Sequence, residues 1–187
     1  AWWKGSPLSD DEFDAERQRL LGQTPVPVFW MLGKTGSGKT SIVRQLTHAT
    51  AAEIGNGYRP QTKTSVEFDF PSPDEAVVKF LDTRGLGEAG YDPTEDIAAC
   101  DARTHLIIVT ARLGDQALVP VLDVLRPLRA AQPTRPVLLA LTCLHELYPG
   151  EQHPEPDPYT VTGESAATTS DDVRRALEAQ RTRFSGL

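Results

Sequence analysis

Residues 33–40 carry the feature that most restricts how this chain can fold. They read Gly-Lys-Thr-Gly-Ser-Gly-Lys-Thr and satisfy the pattern G-x-x-x-x-G-K-[ST] with Gly33, Gly38, Lys39 and Thr40. Glycines allow main-chain N–H groups to turn inward around phosphate oxygens, and the N-terminus of a following helix adds positive potential. The motif therefore predicts a phosphate-binding turn, the P-loop, between a buried strand and a helix.

The sequence around the P-loop has the pattern that this turn requires. Residues 26–32 form a near-continuous apolar run, which is typical of a strand buried on both faces, and residues 39–52 have a helical pattern. Downstream, strand and helix patterns alternate, which predicts an α/β fold with a mostly parallel sheet and helices on both faces. The later strands are predicted at 66–70, 77–81, 106–110 and 137–142, and the later helices at 115–131 and 171–184.

Two of these segments carry more specific expectations. Apolar and polar residues alternate in 66–70, which predicts a half-buried strand at an edge of the sheet. In the helix 115–131, Pro120 falls in the first turns, where proline is tolerated, but Pro127 is expected to kink or shorten the helix.

The chain is predicted to have two parts. Residues 1–22 form an N-terminal extension with a short helix, in which Ser9 and Glu12 have the spacing of a capping box, and residues 23–187 form the main domain. Within that domain, the proline-rich residues 143–170 are predicted to form a long surface loop. The lack of an initial Met suggests a piece of a longer protein, and the two Trp near the start fit either packing on the domain or the edge of a membrane segment.

Composition excludes several other classes of protein. With 187 residues, of which 39% are hydrophobic and 24% charged, the chain can bury a core, so a disordered or fibrous chain is excluded. Two cysteines are too few for a disulfide scaffold or a four-thiolate zinc site, and they fit a reducing compartment. The formal net charge of −7 argues against a surface built to coat nucleic acid. No apolar run reaches the roughly 20 residues of a membrane-spanning helix.

A second motif follows the predicted strand 77–81. Asp82 stands where an acid holds Mg²⁺ in P-loop proteins, and Gly85, three residues on, can bring its N–H to a γ-phosphate. Upstream, Thr62 and Thr64 stand where nucleotide switches place a threonine that closes over Mg²⁺. The choice between these two is open, and the alternative is that both are ordinary threonines at the edge of a strand.

Together these motifs resemble those of a known family. The P-loop form Gly-Lys-Thr-Gly-x-Gly-Lys and the Asp-Thr-Arg-Gly-Leu at 82–86 are similar to P-loop GTPases of the translation-factor-related class, in its Era-, septin- and immunity-associated-like branches. Residues 82–93, with Thr-Cys-Leu-His-Glu-Leu-Tyr-Pro from Thr142, resemble a bacterial GTPase group whose members often carry membrane-linked segments outside the GTPase domain. The resemblance covers residues 26–142, about two-thirds of the chain, and implies a Ras-like fold.

The resemblance also implies a guanine-nucleotide site with Mg²⁺. Lys39, Gly85 and Arg84 are the expected catalytic residues, although a plain surface arginine is the alternative for Arg84. Mg²⁺ would be held by Thr40, Asp82 and one of the two threonines, Thr62 or Thr64. The residues expected to contact the nucleotide are Gly33, Lys34, Thr35, Gly36, Ser37, Gly38, Lys39, Thr40, Ser41, Thr142, His145 and Glu146.

The sequence departs from the family pattern where the base is read. Such GTPases use [N/T]-K-x-D, but the segment from Thr142 to His145 lacks the lysine and has His145 in place of the aspartate. A neutral imidazole offers one acceptor rather than two, so Glu146, the next residue, is an alternative reader of the base. A loop whose His and Glu face solvent is the third interpretation, and guanine specificity is therefore more open than nucleotide binding.

Two further departures concern catalysis and the last strand. Leu86 stands where Ras-type GTPases have a glutamine that orients water, so slow intrinsic hydrolysis is expected. The sixth strand of the family has no convincing counterpart, because residues 159–162 are short and polar and 163–167 are interpreted as a false match to its following loop. We therefore expect a sheet without this strand, with its presence as the alternative.

These observations favour a GTP-binding switch that hydrolyses GTP slowly with Mg²⁺ and changes conformation at residues 57–66 and 84–96. The alternatives are a pseudo-GTPase that binds nucleotide without turnover and an ATP-using P-loop enzyme. The expected partners are a guanine nucleotide and an effector protein or second copy, and nothing indicates nucleic acid. A cytoplasmic location is expected, at a membrane face if segments outside this sequence attach it.

Overall fold

The computed structural model describes residues 25–47, 58–60, 65–87, 90, 92–152 and 170–187, together with residues 9, 11, 12, 14, 15 and 19. The strands are β1 (Val28–Gly33), β2 (Tyr58–Pro60), β3 (Ser65–Phe70), β4 (Val78–Thr83), β5 (Leu106–Arg112) and β6 (Val137–Thr142). The helices are α1 (Lys39–Thr47), α2 (Thr94–Asp101), α3 (Val119–Ala131) and α4 (Asp171–Phe184), with 3₁₀ turns at Leu144–Leu147 and Pro149–Glu151.

The strands form one sheet in the order β2-β3-β4-β1-β5-β6. Strands β4, β1, β5 and β6 run parallel, whereas β3 pairs antiparallel with β4 and β2 antiparallel with β3. The prediction of an α/β fold with a mostly parallel sheet is therefore confirmed. Because β1 lies between β4 and β5, the turns that follow these three parallel strands meet at one edge of the sheet, the usual place for a ligand.

Strand β1 is apolar along its length because both of its faces are buried. Trp30 belongs to a core cluster that includes Leu125 of α3 and receives the partly buried Phe184 of α4. Met31 points to the opposite face and packs in a second cluster with Val43 of α1. Helices therefore cover both faces of the sheet, as the near-continuous apolar run predicted.

Helix α3 begins at Val119 rather than at the predicted residue 115. The Asp115 carboxylate accepts the N–H of Ala117 at 2.8 Å, so this side chain closes a local turn before the helix. Aspartate favours such turns over helix interiors because its carboxylate competes for nearby main-chain N–H groups.

The expected effect of Pro127 on the length of α3 is wrong. The helix continues through Pro127 and ends at Ala131, the predicted last residue. Leu125 and Leu128, on either side of the proline, are 1% and 7% exposed. Burial of this apolar stripe outweighs the one hydrogen bond that the proline cannot donate.

The alternating pattern of β3 predicted a half-buried strand at the edge, and the structure corrects both points. Strand β2 pairs with the outer side of β3. The polar residues of the alternation are themselves buried, with Glu67 2% and Asp69 7% exposed. Lys79 of β4 donates to Glu67 at 3.0 Å and lies 2.8 Å from Asp69, while Arg103 donates to the other oxygen of Glu67. Buried carboxylates need such partners, and here the neighbouring strand supplies Lys79 and the turn before β5 supplies Arg103.

Replacing Glu67 with glutamine is expected to lower the free energy of unfolding by about 2 kcal/mol near pH 7, because Lys79 and Arg103 lose their buried partner. Burial raises the pKa of Glu67, but hydrogen bonds and charge attraction from Lys79 and Arg103 outweigh it and hold the pKa below its usual value. A carboxylate with a lowered pKa stabilises the fold above its unfolded pKa, and this contribution is lost as the pH falls through the folded pKa. Urea unfolding of both proteins from neutral to acid pH measures the difference.

Asp74, an exposed carboxylate between β3 and β4, provides the matched control. Asp74→Asn is expected to change the free energy of unfolding by less than about 0.5 kcal/mol at any of these pH values. The wild-type stability should fall more steeply below the unfolded pKa than that of Glu67→Gln. If the free energy of unfolding fell with pH equally steeply in the wild type and in Glu67→Gln, a stabilising role for the Glu67 carboxylate would be contradicted.

Both helix caps that the sequence indicated are present. The Glu12 carboxylate accepts the N–H and the hydroxyl of Ser9 at 2.9 and 2.8 Å, and the Glu12 N–H donates to the Ser9 hydroxyl at 3.3 Å. These are the reciprocal bonds of a capping box. Helix α4 begins at Asp171 as predicted, and the Ser170 hydroxyl accepts the N–H of Val173.

In the part of the chain that the structure describes, β6 ends the sheet and no strand follows it. The short polar segment 159–162 and the loop-like residues 163–167 lie outside the described residues, so the absence of a sixth strand of the family there stays a prediction. The loop predicted over 143–170 begins with the two 3₁₀ turns and is described as far as residue 152. Among the described residues, no helix combines the length and apolar character needed to cross a lipid bilayer.

Candidate functional site

The P-loop joins the end of β1 to the start of α1. Gly36 and Gly38 have φ values of +74° and +90°, a left-handed backbone that residues with a Cβ rarely adopt. Gly33 is restricted by space instead, because a Cβ there would lie 2.3 Å from the hydroxyl oxygen of Thr110 and 2.5 Å from its carbonyl oxygen. The three glycines of the P-loop therefore serve backbone conformation at Gly36 and Gly38 and close packing against β5 at Gly33.

Lys39 is the first residue of α1 and is only 5% exposed. Its Nζ donates to the carbonyl oxygens of Gly33 and Lys34, both at 3.0 Å. The ammonium group is therefore held against the P-loop backbone, where it can neutralise phosphate oxygens that enter the loop. The role of Lys39 in binding phosphate itself stays a prediction.

Side chains from β5 and β6 fix the middle of the P-loop. The hydroxyl groups of Ser37 and Thr110 lie 2.7 Å apart, and both residues are buried. The Thr142 hydroxyl donates to the carbonyl oxygen of Ser37 at 2.9 Å. The loop is thus tied to the two strands on one side of β1, which limits the conformations that it can adopt without a ligand.

A threonine and an aspartate form the candidate Mg²⁺ site. The Thr40 hydroxyl donates to Asp82 Oδ2 at 2.6 Å, so the two predicted metal ligands are in direct contact. The other carboxylate oxygen of Asp82 is buried and has no hydrogen-bond partner. Burial raises the pKa of Asp82, and the Thr40 hydroxyl and the charges of Lys39 and Arg44 lower it by less.

This donor set fits Mg²⁺ as P-loop proteins bind it. Mg²⁺ prefers hard oxygen ligands and is usually held by one or two protein groups, phosphate oxygens and water. A hydroxyl and a carboxylate with an unpartnered oxygen suit that role. Elsewhere among the described residues, no cluster of three or more His, Cys, Asp or Glu side chains could hold a metal. Thr62 and Thr64, the other predicted ligands, lie outside the described residues.

The turn that contains Gly85 remains beside β1 after β4 ends. In the β1–β4 ladder, Met31 pairs with Asp82, and pairing resumes with a bridge between Lys34 and Leu86. Three residues, 83–85, therefore lie opposite only two, 32 and 33. The extra residue makes the chain bulge, as in a β-bulge.

Gly85 lies directly on the P-loop at this bulge. A Cβ on Gly85 would lie 2.3 Å from the main-chain nitrogen of Thr35, so only glycine fits. The N–H of Leu86 donates to the carbonyl oxygen of Gly33 at 3.1 Å. The second motif thus lies directly against the P-loop, and contact of Gly85 with a γ-phosphate stays a prediction.

Three other predicted residues around the P-loop have clear positions. Leu86 is 5% exposed and packs in the core with Trp30, so it cannot orient a water molecule. Arg84 is exposed beside the site, and Ser41 is exposed on α1. None of these positions assigns a catalytic role to Arg84, which stays a prediction.

The residues predicted to read the base separate into two groups. Thr142 contacts the P-loop at Ser37, as described above, rather than projecting away from it. His145 and Glu146 lie in the 3₁₀ turn that follows Cys143, whose φ of +55° reverses the chain after β6. Glu146 accepts a hydrogen bond from Arg112, and this contact holds the pKa of the Glu146 carboxyl below its usual value.

Sequence reasoning missed three residues at this edge. Thr110 supports Ser37, Arg112 pairs with Glu146, and Asp115 pairs with Lys34 at 2.8 Å. All three lie at or just beyond the carboxyl end of β5, the strand beside β1. Because parallel strands end at a common edge, the polar last residue of the run 106–110 and the polar residues just after it were the signal that could have found them.

Comparison with known proteins finds likenesses of fold. No protein-family model and no curated protein sequence matches the chain. A small COPII coat GTPase SAR1 from Encephalitozoon cuniculi, in complex with GDP, has a TM-score of 0.48 and 13% identity over 95% of this chain and 92% of its own.

Two longer proteins have similar scores. A bacterial selenocysteine-specific elongation factor, EF-Sec, has a TM-score of 0.47 and 15% identity over 86% of this chain. A GDP-bound NFeoB variant from S. thermophilus has a TM-score of 0.46 and 17% identity over 87% of this chain. This chain spans 24% of the elongation factor and 64% of the NFeoB chain. At these identities the likeness concerns the fold alone.

Proposed function

We propose that this chain binds a guanine nucleotide with Mg²⁺, hydrolyses GTP slowly and acts as a nucleotide-dependent switch. The observation that carries the proposal is the meeting of two motifs at one edge of the sheet. The P-loop holds the Lys39 ammonium, and its Thr40 contacts Asp82 at 2.6 Å. Gly85 then returns against the P-loop at Thr35, where it can sense the number of phosphates.

The support for guanine comes from the turn after β6. Glu146 has a lowered pKa, so its carboxylate is ionised at neutral pH and offers two acceptor oxygens. Guanine presents two adjacent N–H donors that such a carboxylate can accept, whereas adenine presents an acceptor at the equivalent ring nitrogen. Arg112, the present partner of Glu146, is 45% exposed, and an exposed ion pair costs little to break.

A binding module without turnover is the second candidate, and the burial of Leu86 favours it. With Leu86 in the core, no side chain at this position can orient water for attack on the γ-phosphate. Slow hydrolysis would then depend on a partner that completes the site. An effector protein or second copy, a cytoplasmic location and attachment to a membrane stay predictions of the sequence.

Equilibrium binding of fluorescent GTP, GDP and ATP, with and without Mg²⁺, tests the proposal. We expect GTP and GDP to bind more tightly than ATP and Mg²⁺ to strengthen GTP binding, because Thr40 and Asp82 would share the ion with the phosphates. Phosphate release should be slow but measurable. Equal affinity for ATP would support an ATP-using enzyme instead, and no phosphate release would support the binding module. Failure to bind any of the three would overturn the proposal.

A further inference from the structure

Lys34, the second residue of the P-loop, makes an ion pair that the motif does not require. Its Nζ lies 2.8 Å from Asp115 Oδ2, and the two side chains are 27% and 16% exposed. The pattern G-x-x-x-x-G-K-[ST] leaves this position open to any residue. Lys34 is therefore held by a contact that the motif alone does not specify, which directs the side chain toward the turn after β5.

Asp115 is itself fixed from two sides. Its second carboxylate oxygen accepts the N–H of Ala117 at 2.8 Å, and its carbonyl oxygen accepts bonds from Gln180 and Arg183 of α4 at 2.8 and 3.2 Å. Burial raises the pKa of Asp115, but hydrogen bonds from Lys34 and Ala117 outweigh it and keep the pKa below its usual value. An ionised carboxylate therefore meets Lys34 in a fixed place.

Gln180 connects this turn to the body of the protein. It is fully buried, and its amide nitrogen donates to the carbonyl oxygens of both Leu113 and Asp115, at 3.1 and 2.8 Å. An amide with 0% exposure needs these acceptors, so the docking of α4 and the shape of residues 113–115 depend on each other.

The main chain of Lys34 lies at the centre of the candidate site. Its carbonyl oxygen accepts a hydrogen bond from Lys39 Nζ at 3.0 Å, and its backbone forms the bridge to Leu86 in the second motif. A displacement of Lys34 would therefore disturb the phosphate-binding lysine and the turn that contacts the P-loop at the same time.

We infer that Asp115 is a positioning residue of the nucleotide site, which sets the P-loop through its ion pair with Lys34 and is itself set by Gln180 of α4. The inference rests on the proposed function and adds to it a route by which α4, a helix outside the P-loop, alters nucleotide affinity. Asp115 acts through Lys34 and makes no contact with the nucleotide in this role.

A double-mutant cycle on nucleotide affinity tests the pair. Asp115→Asn and Lys34→Met should each weaken binding of fluorescent GDP about tenfold, because each removes one charge-assisted hydrogen bond that shapes the loop. The double variant should have the same affinity for GDP as the single variant that binds GDP less tightly, since both changes break the same contact. Asp123→Asn, an exposed carboxylate on α3, is the control and should leave the affinity unchanged. Additive losses would overturn the inference.

Amide hydrogen exchange of the nucleotide-free protein separates this inference from the proposed function. Asp115→Asn keeps the carbonyl oxygen that α4 contacts, so exchange should rise in residues 33–38 and stay unchanged in 171–184. Gln180→Leu removes the link itself and should raise exchange in both segments. Unchanged exchange in 33–38 for Asp115→Asn would overturn the positioning role, whereas failure of the wild type to bind any nucleotide would overturn only the proposed function.

Discussion

Replacing Lys39 with alanine is expected to weaken binding of Mg²⁺-GTP and Mg²⁺-GDP by about a hundredfold, a loss of about 3 kcal/mol. The Nζ group bonds two P-loop carbonyl oxygens and is almost completely buried. It is therefore already ordered at the place where phosphates would bind, and little further conformational entropy is lost when they do. Alanine removes the charge and one donor to each of these carbonyl oxygens, which keep only the main-chain N–H groups of Leu86 and Ser37.

Fluorescence titration of GTP and GDP measures this loss, and circular dichroism shows whether the variant remains folded. Arg126→Ala is the matched control, because it also removes a cation, from an exposed position on α3 far along the chain from the P-loop. Its affinity for both nucleotides should equal that of the wild type. If Lys39→Ala bound nucleotide as tightly as the wild type, phosphate recognition at the P-loop would be wrong.

The P-loop could be predicted because its information is local. Strand, glycine turn, lysine and helix follow one another within 26–52, and the pattern fixes both the backbone and the charge. The strand 137–142 was found to the residue for a similar reason, since its apolar run is bounded by proline and by a polar turn. Contiguous signals of this kind do not depend on what the rest of the chain supplies.

The buried charges of β3 could not be predicted from the sequence. An alternation of polar and apolar residues does not show whether the polar side chains face solvent or pair with buried partners of opposite charge. Glu67 and Asp69 have the spacing of a solvent-facing row, but the antiparallel register places Lys79 directly opposite Asp69. A single sequence does not show how two strands are aligned with each other, so it gives no sign that Lys79 is the partner. The polar face of this strand is therefore buried, although the pattern predicted that it would face solvent.

The contact between Lys34 and Asp115 was missed because it joins residues 81 positions apart in the chain. Asp115 was assigned to a helix from the apolar spacing that follows it, and this assignment hid the residue's place at the tip of β5. Turn chemistry and sheet order together would have placed it correctly, since the turns after β1 and β5 share one edge of the sheet.

Replacing Gly33 with alanine is expected to lower the free energy of unfolding by about 3 kcal/mol and to abolish nucleotide binding. The added Cβ would lie 2.3 Å from the Thr110 hydroxyl oxygen and 2.5 Å from its carbonyl oxygen. A side chain can rotate away, but the carbonyl belongs to the β1–β5 ladder, in which Gly33 pairs with Thr110. The strands must therefore separate at the point where the P-loop begins.

Substitutions at two other glycines separate this steric clash from the strain that a positive φ causes in residues with a Cβ. Gly36→Ala meets no atom within 4 Å but keeps a φ of +74°, so it should cost about 1 kcal/mol of left-handed strain. Gly186→Ala has open space and no such φ, and it should cost less than about 0.5 kcal/mol. Urea unfolding should therefore rank the three losses with Gly33 first, Gly36 second and Gly186 last. If Gly33→Ala were no less stable than Gly36→Ala, close packing against β5 would not be the reason for a glycine at the start of the loop.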